Sequence, residues 1–126
     1  MHGVPADLPL AHFVHCSLIQ IGIGQFQLQF HFSGEGGVGG GSISVEGGWE
    51  LRDATGVPID HAQEHFEHEH YTLHVLLGHS ISDLSIDAPR SFQLVFDSGH
   101  RLTIYDDNEH YETFSVNPAG QAGVYI

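Results

Sequence analysis

The sequence predicts an α+β fold: a mostly antiparallel β meander of about eight short strands with one helix packed on the sheet. Three observations predict it. Apolar residues alternate with polar ones through most of the chain, turn residues punctuate those runs, and only the stretch from Asp60 to Gly78 shifts to a helical period.

Phe26, Leu28, Phe30 and Phe32 alternate with Gln25, Gln27, Gln29 and His31, the pattern of a strand with one buried and one wet face. Phe13 to Ile21, set off by Gly22-Ile23-Gly24, reads as its antiparallel hairpin partner. A flexible glycine-rich loop is expected over 33–42. Beyond it Ile43, Val45, Gly47, Trp49 and Leu51 share one parity, as a strand with a weak point at Gly47-Gly48.

After a turn at Asp53-Ala54-Thr55-Gly56 the pattern changes. Asp60 followed by Gln63 imitates a capping box, Phe66, Leu73, Leu76 and Leu77 sit at helical spacing, and Gly78 stands where a helix ends. These predict a helix over His61–Leu77. Tyr71, Leu73, Val75 and Leu77 also alternate, so a strand over 69–77 is the competing reading. Strands follow at Ile81–Ile86, Phe92–Phe96 and Leu102–Tyr105, with Asp97-Ser98-Gly99-His100 as a hairpin turn. Tyr111–Val116 and Gly123–Ile126 complete the sheet within a single domain, 1–126.

Composition bounds the partners more tightly than the chemistry. Sixteen Asp and Glu face three Arg and no Lys, a formal charge of −13, with twelve His as the other basic groups. Such an excess repels nucleic acid and anionic membrane and attracts basic proteins or metal cations. Forty per cent apolar residues support a core large enough to fold without disulfides. The single Cys16 cannot form an intramolecular disulfide. The start MHGVPADLPL has no basic region or apolar stretch of signal-peptide length, and no run of eighteen apolar residues occurs, so a cytoplasmic protein is expected.

The densest chemical feature is 61–74, with five His and three Glu. Imidazole and carboxylate ligands suit zinc, nickel or copper. On a helix His61, His65 and His68 fall within about 60° of one another and form the candidate metal triplet, beside Glu64. In an extended chain His68, His70 and His74 would share a face instead. The plainer reading is a solvated helix face with Glu64 and His68 as an ordinary i,i+4 pair, and no cofactor.

Other motifs exclude more than they offer. Gly34, Gly36 and Gly39 spell GxGxxG, but the alternation after them is that of a strand, whereas a dinucleotide loop must open a helix. His15 and Cys16 are neighbours on an expected strand, so their side chains diverge and cannot pair as base and nucleophile. Asp106-Asp107-Asn108-Glu109 lacks the spacing of a calcium loop and reads as a charged turn. No catalytic constellation is recognisable, and a non-enzyme is expected.

Leu76-Leu77-Gly78, the run from Phe92 to Leu102 containing Phe96-Asp97-Ser98-Gly99, and Tyr111-Glu112-Thr113-Phe114 together resemble a small bacterial domain family of unknown function. Trp49-Glu50-Leu51-Arg52-Asp53 is similar to that family's middle strand. The resemblance implies a helix ending in Leu-Leu-Gly and brings no catalytic residues. By charge and size the chain is also similar to acidic immunity proteins that neutralise basic nuclease toxins. The first functional expectation is therefore an acidic module binding a basic protein through Glu64, Glu67, Glu69, Asp106, Asp107, Glu109 and Glu112. The alternatives are a His-rich metal-binding protein and a structural domain that self-associates as a homodimer through an edge strand.

Overall fold

The computed structural model describes residues 3–34, 39–62, 71–106, 114–120 and 123–126. Where apolar residues alternate, strands form: β1 (Ser17–Ile23), β2 (Leu28–Ser33), β3 (Gly40–Val45), β4 (Trp49–Arg52), β5 (Pro58–Ala62), β6 (Ile81–Asp87), β7 (Ser91–Phe96), β8 (Arg101–Tyr105), β9 (Phe114–Pro118) and β10 (Val124–Tyr125). They assemble into two antiparallel five-stranded sheets, ordered β1-β2-β3-β9-β10 and β5-β4-β8-β7-β6. We refer to these as sheet A and sheet B.

Both sheets direct their apolar parity into one core. Leu28, Phe30 and Phe32 of β2, Ile43 and Val45 of β3, and Phe114 and Val116 of β9 meet Trp49, Leu51, Phe92, Leu94, Phe96, Leu102 and Ile104 from sheet B in a single buried cluster. Phe92 and Phe114 contact edge to face across it, with ring centroids 4.9 Å apart. That geometry adds about 0.5–1.5 kcal/mol for the pair beyond the burial of the rings. The architecture is a β-sandwich.

The expected α+β class is thus corrected: a second sheet, not a helix, covers the first. At its start the expected helix His61–Leu77 is replaced by β5, whose His61 pairs with Glu50 and whose Ala62 pairs with Trp49. At its end Leu73–Leu76 forms one 3-10 turn. The intervening 63–70 lie outside the described residues. Leu73 and Leu76 are buried, and their three-residue spacing satisfies a single 3-10 turn as well as it does an α-helix. The strand reading of 69–77 also fails at this turn.

Asp60, expected as a helix cap, is a buried clasp. Its Oδ1 accepts the His61 N–H at 2.9 Å and its Oδ2 accepts the Thr72 N–H at 2.7 Å. The Thr72 hydroxyl donates to the Ile59 carbonyl at 3.2 Å, so the chain leaving β5 and the chain entering the 3-10 turn are tied together.

A second correction concerns the strand expected through Gly47-Gly48. The chain there crosses between sheets: Val45 pairs with Phe114 in sheet A, and Trp49 pairs with Ile104 in sheet B. The Gly48 carbonyl accepts the Tyr105 N–H at 3.0 Å within this crossing. The loop expected over 33–42 is shorter, because Gly40, Gly41 and Ser42 already pair with Ser33, Phe32 and His31.

The sandwich is stitched along one side, where β1 and β6 are the sheet edges. Ser17 bridges Ser80, their hydroxyls 2.9 Å apart. Backbone bonds run from His15 N–H to the Ile81 carbonyl, Ile81 N–H to Cys16, Leu18 N–H to His79, and Gly78 N–H to Leu18, all at 2.8–3.0 Å. Among the described residues no helix is long and apolar enough to cross a membrane.

Candidate functional site: a charged sheet and a neutral sheet

Charge divides between the two sheets. Among the described residues no strand residue of sheet A is Asp, Glu, Lys or Arg. Sheet B carries Glu50 and Arg52 on β4, Asp60 on β5, Asp83 and Asp87 on β6, and Arg101 on β8. The outer face of sheet A is instead built from amides, hydroxyls and one imidazole: Gln20, His31, Ser42 and Asn117 stand in one registered row.

Two of the three arginines are answered locally. Arg52 Nε donates to Glu50 Oε1, and Arg90 bonds Asp87 at 3.1 Å. These exposed pairs contribute little to stability, about 0–1 kcal/mol each. Each pair is locally neutral and leaves the net charge unchanged, so the acidic excess resides on the other carboxylates.

Several carboxylates do structural work in turns. Asp53 Oδ1 accepts the Thr55 hydroxyl at 2.7 Å, the Thr55 N–H at 2.9 Å and the Val57 N–H at 3.0 Å, closing the β4–β5 hairpin. The Thr55 hydroxyl, then the Val57 amide, hold its carboxyl below the usual aspartate range. Asp97 lies 2.7 Å from His79 Nδ1 and is likewise held low, chiefly by that hydrogen bond. Stability from a depressed carboxylate is complete above its ordinary pKa and is lost as pH falls through the lowered value.

Of the residues expected to bind a basic partner, Asp106 alone is described. Its Oδ2 accepts the Gly3 N–H at 2.7 Å, so that carboxylate anchors the N-terminal segment. Glu64, Glu67, Glu69, Asp107, Glu109 and Glu112 lie outside the described residues. The same holds for His65 and His68 of the expected metal triplet. His61 is exposed on β5, opposite Glu50. Because His61 sits on a strand, the helical face that would align it with His65 and His68 does not begin there. His74 is exposed on the 3-10 turn. Among the described residues no group of three or more His, Cys, Asp or Glu is arranged to hold a metal ion.

The strand expected from Phe13 begins only at Ser17, after a 3-10 turn at Ala11–Phe13; Cys16 is buried and His15 exposed because His15 lies in a turn at φ 68°, not because they alternate on a strand. Burial pushes the Cys16 thiol above its ordinary pKa, the opposite of an activated nucleophile. Gly39 is followed by β3, so the GxGxxG spacing opens a strand and offers no helix terminus to a phosphate. Sequence reasoning missed the aromatic stack beside the Asp60 clasp, where Trp49 and Tyr71 lie 6.3 Å apart at 18°. Burial, with the Asp60 charge second, raises the Tyr71 phenol above its ordinary value.

The β1–β2 hairpin is the other surface feature. Ile19, Ile23 and Phe26 are 60%, 58% and 64% exposed. A shallow pocket of about 240 Å³ lies beside them, lined by Gly22, Ile23, Gly24, Gln27 and Gln29, none of them charged. Comparison with known proteins finds no matching family model, no matching curated protein and no matching solved structure.

Proposed function

We propose that this chain is an acidic protein-binding module that docks on a basic surface of a partner protein, in the manner of a cytoplasmic immunity protein masking a toxin's nucleic-acid site. The observation that carries this reading is the charge itself, −13 over 126 residues, with Arg52 and Arg90 already engaged by Glu50 and Asp87. A field of one sign steers an oppositely charged partner and raises its association rate. The exposed carboxylate of Asp83 on the β6 edge supplies part of the contact, joined by Glu64, Glu67, Glu69, Asp107, Glu109 and Glu112. Asp106 contributes less, since one oxygen holds Gly3.

The test begins with co-purification of this chain with a basic nuclease-like protein encoded beside it. Stopped-flow association then compares wild type with a variant carrying Asp83→Lys, Asp107→Lys and Glu109→Lys. Association is expected to slow by about tenfold or more at low salt, with a flatter dependence on ionic strength. Failure of the neighbouring protein to bind, or unchanged kinetics in the variant, refutes the reading.

A further inference from the structure

We infer that the free edge of β1 is a self-association surface, on which β1 of a second copy of this chain pairs antiparallel about a two-fold axis. Sheet A ends at β1. The stitching to 78–81 uses β1 only as far as Leu18. From Ile19 to Ile23, no described residue pairs with the outward backbone N–H and C=O groups of the strand. An unpaired row of this kind is a template for another strand.

The side chains along this edge agree with the backbone. Among the described residues six large apolar side chains are exposed, and three of them, Ile19, Ile23 and Phe26, belong to the β1–β2 hairpin. A fourth, Leu77, precedes Gly78, whose N–H donates to the Leu18 carbonyl, so it borders the same edge. Four of six on one border is a patch. The other two are Val57, just before β5, and Ile59 on it; Pro58 between them opens that edge strand of sheet B, removing a donor and blunting pairing.

The edges are also protected differently. β6 exposes Asp83 and Asp87 along its length, a charged edge that resists a like strand. β1 reads Ser-Leu-Ile-Gln-Ile-Gly-Ile, rich in β-branched residues and without charge or proline, the composition that favours strand addition. Its only guard is the register shift at Ile19.

Charge selects the occupant. Two copies each carrying −13 repel one another everywhere except where neither presents a carboxylate, and the strands of sheet A meet that condition. A basic partner would gain nothing at an edge that has no acid to meet it. A second copy gains backbone hydrogen bonds and buries Ile19, Ile23 and Phe26 against their symmetry mates.

Sedimentation of the full chain at rising concentration and two salt levels tests this. A monomer–dimer equilibrium is expected that tightens with added salt, because screening weakens like-charge repulsion. Binding of a basic partner through the acidic surface must weaken with salt, so the two readings fail independently. The Ile19→Lys, Ile23→Lys double variant should weaken the dimer by at least about tenfold, while Ile59→Lys on β5 should leave it unchanged. Amide hydrogen exchange on the wild type removes any dependence on variant folding: the amides of 19–23 should gain protection with concentration. A wild-type chain that stays monomeric in high salt, a dimer that survives the double substitution, or concentration-dependent protection on β5 or β6 in place of β1 would each overturn the inference.

Discussion

At the scale of single residues, Asp60 shows how one side chain serves several needs. Its two oxygens accept the backbone N–H groups of its neighbour His61 and of Thr72, the latter twelve positions further along the chain than Asp60, and its charge raises the phenol of Tyr71. Asp60→Asn removes the charge and replaces one acceptor oxygen with a donor, leaving a backbone N–H without its partner. The expected cost is about 1–3 kcal/mol, read as a lower midpoint in urea unfolding. The Tyr71 pKa should fall toward its ordinary value without reaching it, because burial, the larger cause, remains; ultraviolet titration of the phenol measures this. An unchanged Tyr71 titration would separate the two residues. The cap-like spacing of Asp60 and Gln63 was legible in the sequence, but a carboxylate can bond any N–H that folding brings to it. Only the return of Thr72 decided which.

At the scale of elements, β3 depends on glycine where it begins. Gly40 and Gly41 have φ of 81° and 129°, and a Cβ on Gly41 would overlap the Asn117 carbonyl oxygen and stand 2.7 Å from the Ala119 nitrogen. These are backbone atoms of the adjoining strand and its turn, and they cannot swing aside. Gly41→Ala should therefore cost more than the ordinary 1 kcal/mol of a strand substitution, about 2–4 kcal/mol, with loss of midpoint in thermal melting. Gly56 has the same sign of φ but nothing within 4 Å of a Cβ, so alanine there serves as the milder control. In the sequence both positions are simply glycines in or beside turns. Parity misled in a related way at Gly47-Gly48. Ile43, Val45, Trp49 and Leu51 are buried whether they lie on one strand or on two strands of facing sheets, because both inner faces look into the same core. Alternation reports which side is apolar and carries no information on which sheet holds the strand.

At the scale of the molecule, charge and pH set colloidal behaviour. Carboxylates hold the charge at −13 near neutral pH, and protonation of all twelve His would bring it to −13 + 12 = −1. Imidazole as a group exchanges its proton near pH ~6.5, so the interval from pH 7 to 5 is where such a change is sought. Solubility is expected to drop steeply across this interval, and ammonium-sulfate-free turbidity against pH at low salt measures it. A flat curve from pH 8 to 5 would show that the His do not titrate together. The same loss of repulsion should favour pairing at the β1 edge, so dimer and precipitate are expected to rise in that order as pH falls.

The sequence by itself determined where the strands β6, β7 and β8 lie, the Asp97–His100 hairpin and the acidic excess. Each follows from local alternation, turn chemistry or simple counting. The strand expected from Phe26, by contrast, begins only at Leu28 and leaves Phe26 exposed in the turn. Tertiary structure alone decided that the described strands divide into two sheets, that β5 and a 3-10 turn stand at the two ends of the expected helix, and that the charged residues of the described strands fall on sheet B. Those outcomes depend on pairing between segments far apart in the chain, such as β3 with β9 and β4 with β8. The free energy of such pairing comes from long-range backbone bonds and a shared core, and a local window of residues contains neither.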